Sequence, residues 1–164
     1  MLDHALQLIA KHRESGVYLD TNLMVVLVIG SYDVDKLQSH KRTLAYAPAE
    51  FRLLRTLVSK FRRRLTTPNI LTEVDNLARQ FPSGEHSGIA LHTRALVSTM
   101  FEVYHKSDLH LGGDAHQKVG LTDAILMAQA ENHLVVTADF RLANRISTMG
   151  RDVINFNHLR RYAQ

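Results

Sequence analysis

Cysteine is absent from this 164-residue chain. That excludes disulfides, thiolate metal sites and cysteine nucleophiles, and it suits a reducing, cytoplasmic compartment. Long apolar runs are absent too. The longest, residues 24–30 (MVVLVIG), falls far short of the ~20 apolar residues that span a bilayer, so no membrane role is expected. The first residues carry Asp3 among interrupted apolar positions, which makes a poor signal peptide. No G-x-G-x-x-G fingerprint or P-loop follows any apolar run, which argues against a dinucleotide- or nucleotide-binding fold of those kinds. His86, His92, His105, His110 and His116 gather in one stretch, but none has the paired helical spacing of a zinc site. A solvated or partner-facing role suits them better. Internal repeats, low-complexity tracts and linkers are also missing, so residues 1–164 read as one domain, long enough to bury a good core. What is present is ordinary for a globular protein: 45% hydrophobic and 22% charged residues. The net charge of +4 permits an anionic partner without requiring one.

Periodicity divides the chain into short elements. Residues 1–13 form an amphipathic helix through Leu2, Ala5, Leu6, Leu8 and Ile9, and Gly16 follows it. Val17-Tyr18-Leu19 is a short β-prone run that stops at Asp20-Thr21-Asn22, a set suited to a turn or a helix N-cap. In residues 23–29 the β-branched side chains favour a strand, while the preceding cap favours a buried helix. The helix is the better reading. Residues 30–35 are expected to turn. Residues 48–64 read as a helix with Phe51, Leu54, Val58, Phe61 and Leu65 inward. Its other face is basic, and Arg52, Arg55, Lys60, Arg62 and Arg63 are candidate phosphate contacts. Thr67-Pro68 is an N-cap followed by a helix-starting proline, so residues 69–80 form the next helix, with Glu73 in its first two turns. After a loop at 81–88, residues 89–102 read as a helix with Leu91, Ala95, Leu96, Thr99 and Met100 as core contacts. Residues 104–119 are irregular around Gly112-Gly113.

The segment 120–140 (GLTDAILMAQAENHLVVTADF) holds the most information. A helix begins near Thr122–Asp123, a strand covers Leu134–Thr137, and an acidic turn carries Asp139. A helix over 140–149, a strand over 153–156 and a helical turn over 157–162 complete the chain. Short β runs separated by helices predict an α/β fold: a parallel sheet flanked by helices on both faces.

Asp20, Glu73, Asp123 and Asp139 then share a topological signature, each just past a strand or early in a helix. Carboxylates brought together repel, and one protonates unless a cation compensates. A hard divalent cation such as Mg²⁺ or Mn²⁺ prefers such oxygen ligands. Taken singly, each acid is equally a cap, a turn or a surface residue. Asp75, two positions from Glu73, points away along the helix and reads as surface. Tyr18, Tyr104 and Phe140 read as core residues rather than base-stacking ones.

Four motifs in order, Leu19-Asp20-Thr21-Asn22, Thr67-Pro68-Asn69-Ile70-Leu71-Thr72-Glu73-Val74, Gly120-Leu121-Thr122-Asp123-Ala124 and Leu134-Val135-Val136-Thr137-Ala138-Asp139, resemble the PIN-domain ribonuclease family. The resemblance runs from about residue 17 to 157, with no matching motif in 83–119. It implies a PIN-like parallel sheet with the acids at its C-terminal edge. It further implies a Mg²⁺- or Mn²⁺-dependent endonuclease acting on RNA. The family's acidic quartet falls on Asp20, Glu73, Asp123 and Asp139, with Asn22 and Thr137 as polar helpers. Small members of this kind are often VapC-like toxins, which implies an antitoxin protein and a homodimer. A stand-alone RNA-processing enzyme and an RNA-binding module that does not cut are the alternatives. A haloacid-dehalogenase-like phosphatase would need a second Asp where Asn22 stands. Asn replacements at Asp20 or Asp123 are expected to stop cleavage while leaving metal-free stability level or raised.

Overall fold

A computed structural model describes residues 2–81, 85–111 and 119–163. The elements are α1 (Leu2–His12), β1 (Val17–Leu19), α2 (Thr21–Tyr32), α3 (Pro48–Ser59), β2 (Arg64–Thr66), α4 (Pro68–Ala78), α5 (His86–Val97), β3 (Phe101–Glu102), α6 (Leu121–Gln129), β4 (Leu134–Thr137), α7 (Phe140–Thr148) and β5 (Val153–Asn155). The five strands form one sheet in the order β3-β2-β1-β4-β5. Every pairing is parallel. The α/β architecture expected from the sequence is thus the one observed. No helix among the described residues is long and apolar enough to cross a membrane.

Parallel neighbours need crossover connections, and here helices supply them. This decides α2. Its β-branched residues each cost at most ~0.7 kcal/mol in a helix, less than the ~1.5–3 kcal/mol that burying each of them contributes. Propensity therefore does not choose the element. The N-cap does, because Asp20 Oδ1 accepts a hydrogen bond from the Leu23 backbone N–H at 2.8 Å. Residues from Leu23 to Gly30 are all buried, so α2 is covered on every side.

Three boundaries differ from expectation. Gly30 does not open a turn; it lies inside α2. A Cβ there would meet the Phe51 ring at 2.4 Å, so glycine serves the close approach of α3 rather than chain reversal. The helix expected over 48–64 ends at Ser59, and Arg64–Thr66 is a strand. Phe61 and Leu65 are buried as expected, but not on a helix. Backbone pairing draws the chain out: Val17 N–H donates to Arg63 O at 3.1 Å, and Arg62 N–H to Arg13 O at 3.0 Å. Finally, α5 stops at Val97 and β3 follows. Of its expected core contacts, Leu96 and Met100 pack against the core, whereas Leu91 is 64% exposed and Ala95 and Thr99 face solvent. Strands this short carry too little alternation to register in a periodicity window.

Strand order reverses at β1: β2 and β3 lie on one side, β4 and β5 on the other. In open α/β sheets ligands bind outside the C-terminal ends of the strands at such a reversal. Asp20 follows β1 and Asp139 follows β4, so the sheet delivers both acids to that crevice.

Candidate active site

The register of β1 on β4 pairs Leu19 with Val136, which sets the next residues, Asp20 and Thr137, side by side. Asp20 N–H extends the ladder to Val136 O at 3.1 Å. The Asp20 side chain is buried and held from three directions. Leu23 N–H donates to one oxygen. The Thr137 hydroxyl and the Ala138 N–H, the latter at 2.9 Å, donate to the other. Thr137 Oγ1 in turn accepts from Asp139 N–H at 2.9 Å, so one hydroxyl ties the β1 and β4 loops together. Burial pushes the Asp20 carboxyl above the usual range, and these hydrogen bonds oppose that rise.

Glu73 reaches across from α4. Its two oxygens accept from Thr21 Oγ1 at 2.8 Å and Thr122 Oγ1 at 2.7 Å. It therefore bridges the first turns of α2 and α6. Asp139 is the N-cap of α7, its Oδ1 accepting from Arg141 N–H at 2.6 Å and Leu142 N–H at 3.1 Å. Asp123, in the first turn of α6, is different. Among the described residues nothing donates a hydrogen bond to it. Its carboxyl is pushed up to about 6, first by burial and then by repulsion from Asp139, Asp20 and Glu73. Repulsion from all three places Asp123 within the field of each of the other acids.

Whether a divalent cation suits this group turns on the donors left open. Among the described residues, no three Asp, Glu or His side chains stand as a ready-made ligand cage. The hydrogen bonds give the reason: Glu73 has both oxygens engaged by threonines, and Asp139 turns one oxygen to its own helix. The remaining donor set is nevertheless all oxygen, negative and uncompensated at Asp123. Mg²⁺ keeps several waters and takes only one or two direct carboxylates in many enzyme sites. The oxygen donors suit such a hydrated ion, which Asp123 and the less engaged oxygen of Asp20 would hold directly and Glu73 and Asp139 through water.

The structure thus brings Asp20, Glu73, Asp123, Asp139 and Thr137 together. Asn22 is exposed on α2 and makes no hydrogen bond among the described residues, so it supports no carboxylate in this arrangement. Thr21 and Thr122, which hold Glu73, were not singled out from the sequence. The signal was a hydroxyl adjacent to an acid in three of the four motifs, the third being Thr72, which bonds Pro68 O of its own helix instead. Tyr46, Glu50 and Arg160 also adjoin the site without any sequence signal. Burial and the Asp20 charge push the Tyr46 hydroxyl up to about 12. The Arg160 guanidinium lies 4.8 Å from the Tyr46 ring and pairs with Glu50 at 2.6 Å, so its charge is already matched.

The expected basic face is divided. Arg52 and Arg55 lie on α3, Lys60 caps its end, and Arg62 and Arg63 follow it, all exposed. Arg62 pairs with Glu14 at 3.1 Å and Arg63 covers the Phe101 ring at 5.2 Å. Both sit where β1 and β2 begin, at the sheet edge opposite the carboxylates. Replacing Arg62 and Arg63 together by Gln is therefore expected to leave RNA affinity and its salt dependence unchanged. Fluorescence anisotropy across a salt series checks this. A slope of log K against log salt flattened by about 1.4, two contacts at ~0.7 each, would restore them as phosphate contacts.

Other expectations fare unevenly. Asp75 pairs with Arg79 at 2.9 Å on the surface, as read. Tyr18 is fully buried, but Tyr104 is 79% and Phe140 66% exposed, against the core role expected for both. His92 bonds Gly88 O at 2.9 Å, and His105 and His110 meet ring to ring. His116 and Gly112-Gly113 lie outside the described residues. No family model matches the chain, nor does any curated protein or solved structure.

Proposed function

We propose that this chain is a Mg²⁺- or Mn²⁺-dependent ribonuclease that hydrolyses RNA phosphodiester bonds at the carboxylate cluster. The observation that carries it is Asp123, unpaired beside three other acids at the point where the sheet reverses, its carboxyl held at about 6. Four crowded acids destabilise a fold unless they serve a cation. When bound, such a cation supplies neutralisation of the phosphate charge and acidifies a water toward neutrality.

The chain's own residues divide the remaining work. Asp20, clamped by Leu23, Thr137 and Ala138, is a fixed point of negative charge. Asp123 has no hydrogen bond to break and is free to turn toward a ligand. Glu73 fixes the distance between the starts of α2 and α6 through Thr21 and Thr122. Asp139 keeps its second oxygen open to water. The resemblance to PIN-domain nucleases supports the same roles and adds the toxin of a toxin–antitoxin pair as the biological setting, with an antitoxin and a second copy as partners. Stand-alone RNA processing in the cytoplasm is the alternative role.

End chemistry tests the reading. Water as nucleophile leaves the 2′-OH a spectator and forms no cyclic phosphate; the resemblance implies that the bond from phosphorus to O3′ breaks, so products carry a 5′-phosphate and a 3′-OH. Cleavage is expected to stop with chelator, return with Mn²⁺, and tolerate a single 2′-deoxy nucleotide at a mapped cut site. Ca²⁺, larger and looser in geometry, is expected to occupy the acids with little turnover. A 2′,3′-cyclic phosphate formed in chelator would sink the proposal in favour of a histidine-based mechanism. Tight RNA binding without cutting in any metal would favour the non-cleaving module.

A further inference from the structure

Two exposed aromatic rings follow strands on either side of β1, at the sheet edge that carries Asp20 and Asp139. Tyr104 comes just after β3, the strand at one margin, and Phe140 comes just after β4, beyond Asp139. Each ring opens a cleft. The cleft at Tyr104 has a volume of about 370 Å³ and is lined also by Glu73, Thr122, Asn69 and His105. That volume lies within the ~300–1,000 Å³ typical of small-molecule sites. The cleft at Phe140 has a volume of about 200 Å³ and includes Asn144, Asn155 and His158. Single exposed aromatics are common on protein surfaces and carry no message. Two of them, each lining a cleft and set on either side of β1 at the edge that carries the acids, do.

We infer that Tyr104 and Phe140 are stacking platforms for the nucleobases on either side of the scissile phosphate. The inference rests on the ribonuclease reading for the identity of the substrate. Charge selects the base over the phosphate as occupant of the larger cleft. Glu73 lines it and repels phosphate. Burial, and then the neighbouring His110 and His133, push the His105 imidazole below its ordinary range and disfavour a cation there. Lys106, the nearest fixed cation in sequence, is paired with Asp108 at 2.6 Å. An uncharged flat group is what remains, and Asn69 and Ser107 offer polar edges to it. On the other side Phe140 is the first residue of α7, whose N-terminus is already capped by Asp139, so that backbone offers its first donors to its own cap and not to a phosphate. A base must be unpaired and splayed to stack on a protein ring, so the inferred substrate segment is single-stranded where it is cut.

The test measures binding of a fluorescent single-stranded oligoribonucleotide by anisotropy in chelator, where no cutting occurs, and kcat/KM in Mn²⁺. Tyr104→Ala and Phe140→Ala are each expected to weaken binding about tenfold, within the range known for loss of one base-stacking contact. Neither ring carries charge, so the salt slope stays the same. Tyr104→Phe retains full binding. An abasic nucleotide at the matching position abolishes the difference between Tyr104→Ala and the unmodified chain. Both side chains are exposed, so Tm should not move. Alanine variants that bind within twofold of the unmodified chain, or that lose equally on intact and abasic RNA, would overturn the inference. Weakened binding by the alanine variants of a chain that never cuts RNA would remove the ribonuclease reading and the placement about a scissile phosphate, and would leave the two rings as RNA-stacking platforms only. Normal cutting with unaltered alanine variants would do the reverse. A chain that binds no RNA would remove both.

Discussion

Asp123→Asn is expected to abolish metal-dependent RNA cleavage and to raise the melting temperature of the metal-free chain at pH 7. Both effects follow from one carboxyl. In the fold it titrates at about 6, against an ordinary value of 3.8. Between those values the native state holds a proton that the unfolded chain has released. Stability therefore falls as pH rises through that window, and the whole penalty is present above about 6. Converted directly, the shift is worth ~3 kcal/mol, but Asp123 keeps part of its surface in water, and screening reduces this to about 1 kcal/mol. For a domain of this size that is a rise of ~2–4 °C. The gain should vanish below the ordinary carboxyl range, where Asp123 is neutral in both states. Mn²⁺ should raise the Tm of the unmodified chain and leave the variant unmoved, because only a ligand bound to the native state stabilises it. Thermal melts at pH 4 and 7, with and without Mn²⁺, together with a cleavage assay, decide the matter. A variant that cuts at the unmodified rate, or that melts lower at pH 7, contradicts the site as described.

Asp20→Asn should also remove cleavage, but it should destabilise the chain. This departs from the expectation that both replacements would be neutral or stabilising. The difference lies in hydrogen bonds. Asp20 accepts from Leu23 N–H, Thr137 Oγ1 and Ala138 N–H, using both oxygens. An amide has one oxygen. It must give up either the cap bond or the two bonds to the β4 loop, and its NH₂ then faces a buried donor. Losing the cap costs ~1–2 kcal/mol, and the unsatisfied donor adds ~1–3 kcal/mol. Removing a buried charge offsets part of that. The net loss is about 2 kcal/mol, or ~4–8 °C in Tm for a domain of this size. Like the gain at Asp123, this loss should shrink at low pH, because the Asp20 carboxyl of the unmodified chain, pushed above its usual range by burial, then takes up a proton and turns a hydroxyl toward the same donors. If Asp20→Asn melts at or above the unmodified temperature, the three-point clamp is not holding the loop. Asp20→Ser, which retains a cap acceptor, separates the two roles: it should recover part of the stability and none of the activity.

These two acids look alike in the sequence, each beside a threonine at the start of a helix. Their opposite behaviour arises from contacts made at long range. Thr137 and Ala138 reach Asp20 only because β1 and β4 pair in register, across more than a hundred intervening residues. Glu73 is held by Thr21 and Thr122, one on each side of it in the chain. No local window contains both partners. The division of the basic residues has the same origin: helical periodicity continued the α3 stripe through Phe61 and Leu65, and only the pairing of β2 with β1 draws that segment out of the helix.

What the sequence by itself determined is the part governed by local physics. Caps at Asp20 and Thr67, the acidic turn at Asp139, apolar runs at Val17–Leu19 and Leu134–Thr137, and the stripe of α4 specify helices, strands and their junctions through short-range hydrogen bonds and burial periodicity. Their alternation implies a parallel sheet, since parallel strands cannot be joined by tight turns. The acids could be nominated because their positions relative to those elements are local facts. Only the tertiary structure decided which side chains face water and which oxygens remain open. Tyr104 and Phe140 are apolar residues that local pattern assigns to the core, yet the sheet ends before them and leaves both rings outside. Asp123 is short of a partner because the donors nearby already belong to its neighbours. Exposure and hydrogen-bond satisfaction depend on what the rest of the chain brings to a point in space, and that information is spread over the whole length of the sequence rather than written at the residue itself.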